Sequence, residues 1–274
     1  SLGAKDETPP QQVFATTHSP IVLRELSVAQ LRIMRRSDDK HQARPVPTSA
    51  QGTLRRSPEA FLAPSVLICE GASEVGFVRG FELLCVGQGQ PSIFARGVAL
   101  VDGGGGHPDR LYERGTEFAK LGYRTAVFRD ADITPTAQVE ATFHQLGGGT
   151  FTWDAGQSLE AAIFNNVGDA TLLAMLDYAI IEHGQEMVAA HIQSASGNQE
   201  TVENLRALLH SPQHTITPAQ RAVLVTASTN KSNPWFKSVG RMEHVASRIL
   251  ALNFADVRED FRNRVNALIG WAQA

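Results

Sequence analysis

Two aspartates one residue apart, Asp130 and Asp132, follow the apolar run TAVF in the stretch FRDADI, residues 128–133. A D-x-D pair leaving a strand suits a hard divalent cation, which takes oxygen ligands, keeps several waters and needs few protein carboxylates. Strand alternation would put both side chains on one side, where they can share or bridge ions. Alone, the pair reads equally well as a turn or a helix N-cap. Its weight comes from its company. Glu70 and Glu74 stand in CEGASE, and Asp102 opens DGGGG. Carboxylates gathered at one place repel each other unless a cation sits among them. By itself Glu74 is an acid favoured near a helix N-terminus, and the glycine run departs from the phosphate-loop pattern.

These residues need a scaffold, and the chain from residue 65 onward predicts one. SVLICEG (65–71), GVALVDG (97–103) and RTAVFRDAD (124–132) are apolar runs ending in acid or glycine, as buried parallel strands do. Between and after them SEVGFVRGFELLCV, PDRLYERGTEFAKLG and TAQVEATFHQLG carry helical spacing, with Ser73 placed as a cap of the first. GTFTWDAG (149–156) reads as a fourth strand. Alternation of this kind makes an α/β fold, a parallel sheet with helices on both faces. Functional residues then collect at the C-terminal ends of the strands, where Glu70, Asp102, Asp130 and Asp132 fall. From residue 157 the sequence is rich in alanine and leucine and mostly helical, with RAVLVTAS (221–228) open between helix and strand. His210 and His214, in HSPQH, read as loop residues.

Upstream, Val13–Ala15 reads as a short strand. A helix is expected from about Ser19 to about Arg36, with Pro20 in its first turn. The polar, proline-rich stretch after it reads as a linker. The expected divisions are therefore 1–40, a linker at 41–63, a sheet domain at 64–158 and a helical region at 159–274. Residues 21–60 hold eight Lys/Arg against four Asp/Glu, although the whole chain has a formal net charge of −3. Such a local basic surface is able to meet phosphates, but composition alone favours a solvated linker. With 274 residues, 42% hydrophobic and 19% charged, the chain has the make-up of a soluble globular protein. Two cysteines exclude a disulfide framework and a four-cysteine zinc site, and suit a reducing cytoplasm. No apolar run approaches about 18 residues. SLGAKDETPPQQ lacks an apolar core, so neither a membrane span nor a secretory signal is expected.

LICEGASE, VDGGGG and FRDADI, in this order on successive strands, resemble the three acidic motifs of a Toprim domain, over about residues 64–158. VFATTHSPIVLREL resembles the last strand and switch-histidine turn of an ABC-type ATPase. No G-x-x-x-x-G-K-[ST] is present to bind the nucleotide. An ATPase tail followed by Toprim motifs is similar to the C-terminal catalytic region of the OLD (overcoming lysogenisation defect) nucleases. The resemblance implies a Toprim-like sheet plus a helical subdomain and assigns His18 to γ-phosphate sensing in the intact ATPase. It adds Glu160, in GQSLEAAIF, to the metal ligands, and a catalytic lysine, Lys231 or Lys237, from NKSNPWFKSVG.

On that resemblance the expected chemistry is two-metal endonuclease cleavage of DNA in the cytoplasm, in phage defence. Two Mg²⁺ or Mn²⁺ ions are expected, with Ca²⁺ as a structural stand-in. Some of Glu70, Glu74 and Asp102 would hold one ion, and Asp130 and Asp132 with Glu160 the other, which carboxylate binds which ion being left open. Glu70, Glu74, Asp130 and the lysine would carry the chemistry. Homodimerisation through the ATPase part and, in some systems, a helicase partner are also implied. The competing readings are topoisomerase or primase chemistry and a doubly wound Mg²⁺-binding domain without catalysis. Neither a winged-helix module with a nucleophilic tyrosine nor a zinc module is visible in the sequence.

Overall fold

The computed structural model describes residues 13–37, 40–211 and 213–274. The polar opening segment 1–12, the Asp38–Asp39 pair and Pro212 lie outside the described residues. The chain forms two compact units, divided between Leu62 and Ala63.

In the first unit α1 (Pro20–Glu25) starts at Ser19, whose hydroxyl accepts the Val22 N–H at 3.4 Å. The helix expected to continue to Arg36 stops at Glu25. Ser27 caps a separate 3-10 turn, Val28–Gln30, and the chain then enters β1 (Arg32–Ser37). From Leu31 to Met34 buried and exposed residues alternate, a period of two rather than 3.6. β1 pairs antiparallel with β2 (Lys40–Pro45), Ile33 lying opposite Arg44. The stretch expected as a linker thus contains a strand, followed by α2 (Gln51–Arg56) and a 3-10 turn at Pro58–Phe61. Val46, Ala50, Leu54, Ala60 and Phe61 are buried, and apolar side chains dispersed among prolines and serines are what disguised this packing. No strand forms at Val13–Ala15, where Val13 and Phe14 are exposed.

The second unit is built on four parallel strands, β3 (Ser65–Cys69), β4 (Val98–Asp102), β5 (Arg124–Phe128) and β6 (Gly149–Phe151). Their spatial order is β4-β3-β5-β6. Cys69 lies level with Asp102 on one side and Phe128 on the other. The chain leaves β3 toward β4 and returns past it to β5. The carboxyl ends of β3 and β5 therefore flank a topological switch point, the place where open α/β sheets bind ligands.

Both sheet faces are covered, so the strands read as unbroken apolar runs. One face presents Leu67, Cys69, Ala126 and Phe128 to a core shared with α3 (Ala72–Gly87) and with helices from residues 159–274. On the other, Val66, Ile68 and Val127 are buried beneath α4 (Asp109–Lys120), which packs on α5 (Ala137–Gln145). The helical region comprises α6 (Leu159–Asn166), α7 (Asp169–His183), α8 (Gln185–Ser196), α9 (Val202–His210), α10 (Pro218–Ser228), α11 (Val239–His244) and α12 (Glu259–Gln273). RAVLVTAS is thus helical, begun by a Thr217–Gln220 capping box with Pro218 in the first turn. These helices share one hydrophobic core with the sheet and are part of the same unit. Among the described residues no helix is long and apolar enough to cross a membrane.

α3 and α11 approach so closely that two glycines of α3 have no room for a side chain. A Cβ on Gly80 would lie 2.4 Å from the Ala246 Cβ and 2.7 Å from the Glu243 carbonyl oxygen. Gly80→Ala is expected to destabilise the unit by about 1–3 kcal/mol despite alanine's better helix propensity. Urea unfolding followed by circular dichroism would show this as a lower midpoint.

Candidate metal centre

β3 delivers its chain end to the switch point, where Glu70 follows Cys69. The Glu70 carboxylate accepts the Asp130 N–H at 3.0 Å, a bond across 60 residues of sequence. In the other direction the Glu70 N–H donates to the Phe128 carbonyl at 2.9 Å, so each strand end holds the other. Asp130 and Asp132 lie beyond the end of β5. A loop, rather than strand alternation as expected, brings them together. Glu70, Asp130 and Asp132 each offer a carboxylate oxygen within 4.8 Å of the others. Glu70 and Asp130 are half-buried and Asp132 is exposed.

Behind this trio lies a second acidic layer. Glu74 accepts the Gly71 N–H at 2.8 Å and so caps α3. It is nonetheless only 3% exposed, and Glu160, in the first turn of α6, is 7% exposed. Ser73, expected as the cap of α3, instead donates its hydroxyl to Glu160 at 3.2 Å. Asp130 accepts the Leu159 N–H at 2.7 Å. The start of α6 therefore directs an unpaired backbone N–H at one acid and carries another.

So many carboxylates in so little water resist ionisation. Burial, followed by the charges of Glu74, Glu160 and Glu70, raises the pKa of Asp130 to about 9. Burial, then Glu160 and Glu70, raises that of Glu74 to about 8. Glu70 is also raised, chiefly by burial. The Asp130 N–H, Arg129 and Lys237 oppose that rise, while Asp132 adds to it. The donors are all hard oxygen atoms, and half-buried carboxylates this close need either protons or a cation. The residues present therefore fit a divalent ion. Glu70, Asp130 and Asp132 are positioned to ligate it, with Glu74 and Glu160 adjoining them.

The remaining candidates are placed differently. Asp102 ends β4, is exposed and accepts the Gly104 N–H at 2.8 Å, which makes it the first residue of a turn. It stands outside the three-carboxylate cluster. Gly103 beside it is required by close approach, since a Cβ there would lie 2.8 Å from the carbonyl oxygens of Cys69 and Glu70. Lys231 and Lys237 are both exposed on the segment between α10 and α11. Lys237 is among the charges acting on Glu70. His18 is exposed in the first unit, immediately before the Ser19 cap. Sequence reasoning overlooked Arg129, a buried cation beside the acids that FRDADI displays openly.

A scan against protein-family models and searches of curated proteins and of solved structures found no match to this chain.

Proposed function

We propose that the second unit is a Toprim-like nuclease of the OLD type, which hydrolyses DNA phosphodiester bonds with Mg²⁺ or Mn²⁺. The observation that carries this reading is the Glu70–Asp130–Asp132 cluster at the switch point of a parallel sheet. A bound divalent cation would supply polarisation of the phosphate and acidification of a water. Glu70, Asp130 and Asp132 would hold it. Glu74 and Glu160 are placed to take a second ion. Asp102 has no ligating role in this arrangement. Lys237 lends its positive charge to the phosphate oxygen that gains charge as the bond breaks.

Residues 1–40 are, on the same reading, the tail of an ATPase domain, in which His18 would sense the nucleotide. Dimerisation through that ATPase, a helicase partner, a cytoplasmic location and a role in phage defence come with the family. Two observations weigh against topoisomerase and primase chemistry. Tyr112 and Tyr123 are buried, so neither presents a free nucleophile, and Tyr178 stacks its ring on His244. Cys69 and Cys85 are both buried and offer no zinc module of the primase kind.

Plasmid nicking decides between hydrolysis and a binding domain without catalysis. The protein is expected to nick supercoiled plasmid with Mg²⁺ or Mn²⁺ and to stop when EDTA is added. Metal binding without cleavage under every condition would favour the non-catalytic reading. Lys237→Ala should lower the nicking rate by about 10²-fold, whereas Lys231→Ala should leave it at the wild-type level. Equal losses in both would remove the assignment.

A further inference from the structure

Arg129 immediately precedes the D-x-D segment and is only 7% exposed, a rare position for a guanidinium. Its hydrogen bonds turn back onto the acids' own loop. Nη1 donates to the Asp130 carbonyl at 2.6 Å and to the Ile133 carbonyl at 3.1 Å, closing the loop across Asp132. Nε donates to the Tyr112 hydroxyl at 2.9 Å, and that hydroxyl donates to Glu140 at 2.8 Å. The guanidinium carbon also lies 5.8 Å from the centre of the Tyr112 ring. A side chain of α4 and one of α5 thereby hold the arginine, and the arginine holds the loop.

The two aspartates depend on it unequally. Asp130 has other anchors, its N–H bonded to Glu70 and its carboxylate to the Leu159 N–H. Ala131 is tied in both directions, to the Gln157 carbonyl and from the Gly156 N–H, each at 2.8 Å. No hydrogen bond among the described residues holds the Asp132 carboxylate. Its place follows from the backbone on either side, and the far side is fixed by Arg129 through Ile133.

We propose that Arg129 is a positioning residue, a buried clamp that aims the Asp132 carboxylate at the cation, with Tyr112 and Glu140 orienting the clamp. The proposal rests on the metal-centre reading above. Partners that orient ligands commonly contribute 10- to 100-fold, as an order of magnitude, in metal affinity. Lysine keeps the charge of Arg129 but lacks the planar fork that reaches both carbonyls and the tyrosine at once.

Mn²⁺ binding by the full chain, followed by electron paramagnetic resonance, tests the clamp. Each variant's melting temperature is measured alongside, without metal. Arg129→Lys should weaken Mn²⁺ binding by about 10- to 100-fold. Tyr112→Phe should shift it in the same direction by less, while keeping the ring packed on Phe143. Adding Arg129→Lys to Asp132→Asn should cost no further affinity, since both act through one ligand. Losses that multiply in the double variant would overturn the proposal. So would lower melting temperatures with Mn²⁺ affinity unchanged. Failure of the unsubstituted protein to bind Mn²⁺ would overturn the metal centre itself, a result distinct from either.

Discussion

Asp130→Asn is expected to abolish Mg²⁺- or Mn²⁺-dependent plasmid nicking while leaving the metal-free protein at least as stable as before. The two halves of this result have one cause. Asp130 is crowded by Glu74, Glu160 and Glu70, and its pKa is about 9 because its charge is out of place in the folded protein. Asparagine removes that charge, and its amide oxygen can still accept the Leu159 N–H now bonded at 2.7 Å. What is lost is the ability to shed a proton and ligate a cation. Most buried substitutions destabilise, so lost nicking with a retained or raised melting temperature marks a residue kept for chemistry rather than for folding. Full activity in this variant would end the nuclease reading. A large fall in melting temperature would mean instead that Asp130 serves the fold.

A second expectation concerns pH. The folded protein holds protons on Asp130 and Glu74 up to pH values of about 9 and 8, whereas the unfolded chain releases them in the ordinary carboxylate range. Between those limits the folded state binds more protons, so the stability of the metal-free protein falls as pH rises. The contribution is fully present below the unfolded pKa and lost once the pH passes the folded values. Between pH 6 and pH 9 the melting temperature should fall by something on the order of 10 °C. Millimolar Mg²⁺ or Ca²⁺ should reverse most of that fall at pH 9, because a cation takes over the role of the protons and stabilises the folded state alone. Scanning calorimetry with and without metal measures both. A melting temperature independent of pH and unmoved by either ion would exclude these carboxylates as a cation site.

How far the sequence could be read depended on whether a signal was local. The strands β3, β4 and β5 were legible because strands buried on both faces are continuous apolar runs, and the acids closing them stand next to those runs. The first unit was harder. LRIMRR carries enough apolar residues for either period, and only the pairing with β2 decides for a strand. Ser73 has the right chemistry for a cap, yet Gly71 takes the N-cap position of α3 and the Ser73 hydroxyl goes to Glu160, 87 residues away. Lys231 and Lys237 are equivalent as letters. Only the folded chain brings the charge of Lys237 to bear on Glu70. Arg129 was hidden by its own type, since a charged residue beside two aspartates reads as solvated until its burial is known.

The bond between Glu70 and Asp130 spans 60 residues, and that between Ser73 and Glu160 spans 87. No single stretch of the unfolded chain therefore holds more than a fragment of the donor set. A cation has little to grip until β5 has closed against β3, across the whole β4–α4 excursion. That closure is a non-local step opposed by chain entropy. Ions that engage only after the transition state slow unfolding without hastening folding. On the metal-centre reading, a bound ion would be a lock fitted to a finished protein, and not a template around which the chain assembles.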